Sequence, residues 1–122
     1  MENAILVGLG GFFGAITRYS ISGWLSRMGS FPWGTLAVNA IGCFLIGLLV
    51  VGPIGRASNP VNLNLLLVTG FLGAFTTFSA FSWETLTLFQ GARSAAGWGN
   101  IALNVFGCLT AVYAGTAAGK IF

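Results

Sequence analysis

Thr69-Gly70-Phe71-Leu72-Gly73-Ala74-Phe75-Thr76-Thr77-Phe78-Ser79-Ala80-Phe81-Ser82-Trp83-Glu84 is the stretch on which the fold of this chain turns. It lies inside an apolar run from about residue 63 to 89, long enough to cross a bilayer core of about 30 Å, which takes roughly 20 residues at 1.5 Å each. Two glycines three apart, followed by Thr76-Thr77, predict a helix that breaks at mid-depth. Irregular backbone at that depth survives only inside protein or beside a cavity, and the carbonyls it frees can coordinate a cation. Beyond the break, Phe78 and Phe81 are three residues apart, as are Ser79 and Ser82, while Thr77, Phe81 and Glu84 fall on one helical face. A phenylalanine stripe in a membrane helix is either packing or lipid contact. Alternatively, because an aromatic ring is electropositive at its edge, ring edges beside serine hydroxyls hold a small, hard anion.

Three more apolar runs flank this one, at about residues 4–26, 33–51 and 97–119. The predicted architecture is an all-α membrane protein: one domain, residues 1–122, of four transmembrane helices joined by short loops. Composition agrees. Of 122 residues, 56% are hydrophobic and 6% charged, against about a quarter charged in soluble domains, and the mean hydropathy is +0.89. The sequence has no His and no Asp, and its two Glu, at 2 and 84, lie 82 positions apart. Zinc hydrolase sites and Ser–His–Asp or Cys–His constellations are therefore out of reach, and the reading is of a protein that is not an enzyme. Glu2 stands where a secretory signal carries basic residues, so the first run reads as a retained helix. Cys43 and Cys108 fall within spans and read as small apolar packers rather than a disulfide.

Four spans put the second loop and the C-terminus on one side, and the first and third loops on the other. Arg56 and Lys120 stand on the first side, Arg27 and Arg93 on the second. The positive-inside rule needs an imbalance, and two against two supplies none. Such a chain inserts both ways, and its two forms pair antiparallel, an inverted repeat made from two copies. Arg18, within the first span, either snorkels to the headgroups or stands as a fixed positive charge by a water-filled vestibule. Asn39, with Thr35 one turn before it, and the Asn100/Asn104 pair in the fourth span are either interhelical glue or a polar path. Gly10-x-x-x-Gly14 and Gly115-x-x-x-Gly119 are spacings for close helix packing. The shortage of intramembrane acids, with Glu84 alone late in the third span, favours an anion over a proton or cation as cargo.

Pro32-Trp33-Gly34-Thr35-Leu36-x-Val38-Asn39, the Thr69–Glu84 stretch and Gly14-Ala15-x-x-Arg18-Tyr19 together resemble the Fluc (CrcB) fluoride channels, and the resemblance covers all four spans. It implies a dual-topology antiparallel homodimer in the bacterial inner membrane, with lipid around it and no nucleic-acid partner. Two fluoride pores would lie at the subunit interface and a structural sodium ion on the two-fold axis. By motif, the carbonyls of Gly73 and Thr76 would hold the sodium, and Phe78 and Phe81 would be the pore phenylalanines. Asn39 would be the pore-lining amide, and Ser79 part of a polar track. Thr35 and Arg18 would stand near the pore mouth, and Glu84 near a pore end. Asn104 is assigned to the track by its spacing to Gly107. Ala80 departs from the family's frequent Thr, which removes one hydroxyl from that track.

The activity expected is passive export of fluoride from the cytoplasm, lowering its toxicity. A small dual-topology multidrug exporter is the alternative of similar size. It needs an embedded carboxylate in an early helix, where this chain has Arg18. A non-conducting assembly subunit is a third reading, and it leaves the Thr, Ser, Phe and Asn set without a purpose.

Overall fold

A computed structural model describes residues 1–121. Among them, four helices are long and apolar enough to cross a membrane: Glu2–Met28, Trp33–Val51, Pro60–Gln90 and Ser94–Gly119. The third starts a little earlier than the apolar run because Pro60 occupies its first turn, where a missing N–H costs nothing. The fourth likewise begins at Ser94, right after a tight turn in which Arg93 N–H bonds the Leu88 carbonyl at 2.9 Å. Ala92 adopts φ 56° in that turn.

The first helix packs against the first part of the third, and the second helix against the last part of the fourth. Glycine makes both crossings possible. A Cβ on Gly10 or Gly14 would strike the backbone carbonyls of Leu66 and Phe71, and one on Gly115 or Gly119 those of Phe44 and Leu48. The two small-residue spacings are thus the places where helices touch backbone to backbone. Val38, Leu72 and Phe75 form the small buried core between these pairs. The bulk of the large apolar side chains point outward instead, among them Ile5, Leu9, Phe12, Ile16, Phe106, Leu109 and Tyr113. An apolar exterior around a small core is what a bilayer solvent requires, since lipid replaces water as the medium for those faces.

The break in the third helix is present, and narrower than its sequence implies. Gly70 lies inside a π-helical segment, Asn64–Leu72, and serves the crossing with the first helix: a Cβ there would come within 2.7 Å of the Val7 carbonyl. Gly73 is also helical. The break is made by the two threonines alone, Thr76 at ψ 157° and Thr77 at φ −151°, ψ 118°, both extended. Thr77 then caps the second limb, Phe78–Gln90, its Oγ1 accepting from Ala80 N–H at 3.2 Å. A second π-helical turn, Leu103–Gly107, lies in the fourth helix beside Asn104.

The basic residues mark the two ends. Arg56 donates to the Lys120 carbonyl at 3.3 Å, joining the second loop to the C-terminal end, and Arg93 donates to the Ser30 carbonyl at 2.8 Å, joining the third loop to the first. Each end carries two basic side chains of this group, as the four-span topology requires.

Candidate functional site

The site is built around the break. Two extended residues leave peptide groups that no helix can satisfy, and at membrane depth water is not there to replace it. Asn39, on the second helix, meets them. Its Oδ1 accepts from Thr77 N–H at 2.8 Å, and its Nδ2 donates to the Thr77 carbonyl at 3.2 Å and to Asn104 Oδ1 at 3.0 Å. One side chain thereby pairs both backbone groups of Thr77, as a neighbouring strand would.

From Asn39 the polar contacts continue through the fourth helix. Asn104 Nδ2 donates to the carbonyl and Oδ1 of Asn100 at 3.1 and 2.9 Å. Asn100, fully buried, donates to Thr85 Oγ1 at 2.9 Å, and Thr85 donates to the Phe81 carbonyl at 2.7 Å. Thr35 lies one turn before Asn39 and gives its hydroxyl proton to Glu84 Oε1 at 2.6 Å. The second helix and the second limb of the third are therefore antiparallel and locked at two points, Asn39 to Thr77 and Thr35 to Glu84. The face read from Thr77, Phe81 and Glu84 is the one turned toward the second helix, with Phe81 buried.

Asn39, Asn104, Gly73, Thr76, Thr77, Phe78 and Phe81 line a cavity of about 490 Å³ that opens at the side of the bundle. Its walls are otherwise apolar. The Phe78 ring is 78% exposed at this opening, and its centroid lies 5.3 Å from that of Phe81, with the planes tilted by 57°. Ser79 is exposed beside it, its Oγ 3.1 Å from Thr77 Oγ1. An aromatic ring and a polar seam left uncovered at mid-helix form a face that a single chain does not close.

The break also exposes carbonyl oxygen. In a continuous helix the Gly73 carbonyl would accept from Thr77 N–H and the Thr76 carbonyl from Ala80 N–H. Those donors are taken by Asn39 Oδ1 and Thr77 Oγ1. Gly73 and Thr76, which both line the cavity, thus carry carbonyls without their helical donors. Among the described residues no group of three His, Cys, Asp or Glu side chains is placed to hold a metal.

Two candidates stand apart from the Asn39 network. Arg18 is half-buried, and its Nε is buried without a hydrogen-bond partner. Among the described residues Glu84 is held by Thr35 alone, and its second oxygen, Oε2, is likewise buried and unpartnered. Thr85 and Thr77 join the network without having been singled out by their sequence as site residues. Asn100 was visible as the i, i+4 neighbour of Asn104. Thr85 gave no such signal, because only the packing of the fourth helix on the second limb brings it to Asn100.

This geometry sits on a sequence with well-described relatives. The family described as CrcB-like protein, Camphor Resistance (CrcB), matches residues 5–116. A fluoride-specific ion channel FluC of Rhizobium etli is 48% identical over 119 residues, 96% of this chain and 95% of that one. The FluC of Rhizobium johnstonii is 50% identical over the same length and coverage. That of Methanococcus maripaludis is 45% identical over 122 residues, 100% of this chain and 99% of the other. With the Gly10–Gly14 crossing, the break and the asparagine network inside the matched region, the chain belongs to the CrcB family.

Proposed function

We propose that this multi-pass membrane protein is a fluoride-specific ion channel, not an enzyme, and that it gives cytoplasmic fluoride a passive way out. The observation that carries this reading is identity of 45–50% across essentially the whole chain to relatives that bear that name. Fluoride that accumulates as trapped HF leaves down its gradient, aided by an inside-negative potential worth about 2.3 kcal/mol per charge per 100 mV.

The working unit is an antiparallel, dual-topology homodimer, with a pore on each side of the subunit interface. Two features support it: the equal basic charge at the two ends, and the uncovered Phe78 face beside the cavity. A second copy closes the opening and turns an open groove into a path. Along it, Phe78 and Phe81 present ring edges, Ser79 and Thr77 hydroxyls, and Asn39 and Asn104 amides, which together replace the hydration shell of a small hard anion. Arg18 and Thr35 lie toward the mouth, and Glu84 toward a pore end. The second limb begins at Phe78, so its positive helix end lies in the middle of the membrane where an anion crosses. Both amide hydrogens of Asn39 are engaged in the single chain. An anion that uses them displaces the longer bond, to the Thr77 carbonyl, at least cost.

The first limb presents its negative end at the same break, and this supports a structural sodium ion. The carbonyls of Gly73 and Thr76 would hold it, neutral hard oxygen being the donor such a cation takes. Such an ion would supply positive charge to offset the carbonyl end of the first limb. This chain's own part is to keep those carbonyls free, by giving Thr77 N–H to Asn39 and Ala80 N–H to Thr77 Oγ1.

Expression in a bacterium that has lost its own fluoride export tests the function directly. Growth restored in millimolar fluoride is the expected result. Failure to restore growth, with the chain present in the membrane, overturns the reading.

A further inference from the structure

The second and fourth helices run in parallel, and two contacts fix their register. Asn39 bonds Asn104, and a Cβ on Gly47, two turns further on, would strike the Val112 carbonyl. Midway between these, Cys43 follows Asn39 by one turn and Cys108 follows Asn104 by one turn. The two positions therefore fall level with each other at the same crossing, facing one cavity. Both are half-buried, and both line the cavity that holds Asn39, Thr76 and Phe81. They are the only cysteines of the chain, and neither enters the fluoride path or the sodium site argued above.

We propose that Cys43 and Cys108 form a two-thiol site for a soft, two-coordinate cation, set in the cavity wall one helical turn from the Asn39–Asn104 bond. Thiolate sulfur selects soft d10 ions over the hard ions of the aqueous phase. Ile46, Leu109 and Val112 in the cavity wall are apolar, and the oxygens elsewhere in it, on Asn39, Thr76 and Asn104, are hard donors that a soft ion passes over. With a mercuric ion the chemistry balances without a redox step. Two S–H bonds break, two S–Hg bonds form, and two protons leave to water. The product is neutral, and so avoids the cost of burying net charge in a low-dielectric wall.

The test uses the purified full chain in detergent, titrated with mercuric ion, with free thiols counted by a thiol reagent. One mercuric ion should remove two thiols per chain, and the metal should stay on the protein through desalting against a millimolar monothiol. Cys43→Ser and Cys108→Ala should each lose that retention, while eluting in the same oligomeric state as the native chain. If one of them fails to fold, the other carries the comparison. Two mercuric ions needed to remove two thiols, or equal retention by a folded single variant, would overturn the site, as would thiols that take up no mercury. None of these readouts depends on fluoride conduction, so failure here and failure of the channel reading are separate results.

Discussion

Asn39 pairs both backbone groups of Thr77 at the break, and the consequence is testable. Asn39→Ala leaves both the N–H and the carbonyl of Thr77 without a partner at membrane depth, and each orphaned group costs about 1–3 kcal/mol. Thermal unfolding in detergent should show a loss of about 2–6 kcal/mol, together with loss of fluoride efflux. Phe78 predicts the opposite division. Its ring is exposed in the single chain, so Phe78→Ala should leave the fold's stability nearly unchanged, while lowering fluoride efflux about tenfold or more, equal to about 1.4 kcal/mol on the barrier. A Phe78→Ala protein that conducts normally would remove the ring from the path. Asn39 and Glu84 stood out in the sequence because amides and acids are rare in spans, and Thr35 because it lies one turn before Asn39. Thr85 did not, because a threonine can satisfy its hydroxyl on its own helix anywhere, and its link to Asn100 exists only in the assembled bundle.

At the scale of the elements, the four spans were legible because apolar runs of that length have one physical use. The break was legible in kind and shifted in detail. Gly70 and Gly73 suggested a broad interruption, yet Gly70 is helical and occupied by the crossing with Gly10. The π-helical turns at Asn64–Leu72 and Leu103–Gly107 had no signature, since the bonds that define them do not depend on side-chain type. Gly115→Leu should cost at least about 1–3 kcal/mol by overpacking, since the added side chain meets the backbone of Phe44 and Leu48. Ala92 offers the converse. It holds a left-handed φ of 56° in the turn before the fourth helix, a conformation that costs a residue with a Cβ about 1–2 kcal/mol. Ala92→Gly should therefore raise the melting temperature in detergent, and an unchanged or lower one would show the turn to be unstrained.

At the scale of the whole molecule, the balance of basic residues makes orientation a variable that can be set. Ser58→Lys with Asn59→Lys adds charge to the end that carries Arg56 and Lys120, and Met28→Lys with Gln90→Lys adds it to the other end. By the positive-inside rule each pair forces one orientation. Each biased chain alone should fail to conduct, and the two expressed together should recover fluoride efflux. Activity from either one alone would contradict the antiparallel dimer. The central claim is nearer still to a single measurement: fluoride efflux from proteoliposomes of the purified chain, with valinomycin and potassium setting the voltage and a fluoride electrode outside. Rapid fluoride release while chloride is retained is the result this account predicts. Folded, dimeric protein that releases no fluoride, or releases chloride as readily, would contradict it.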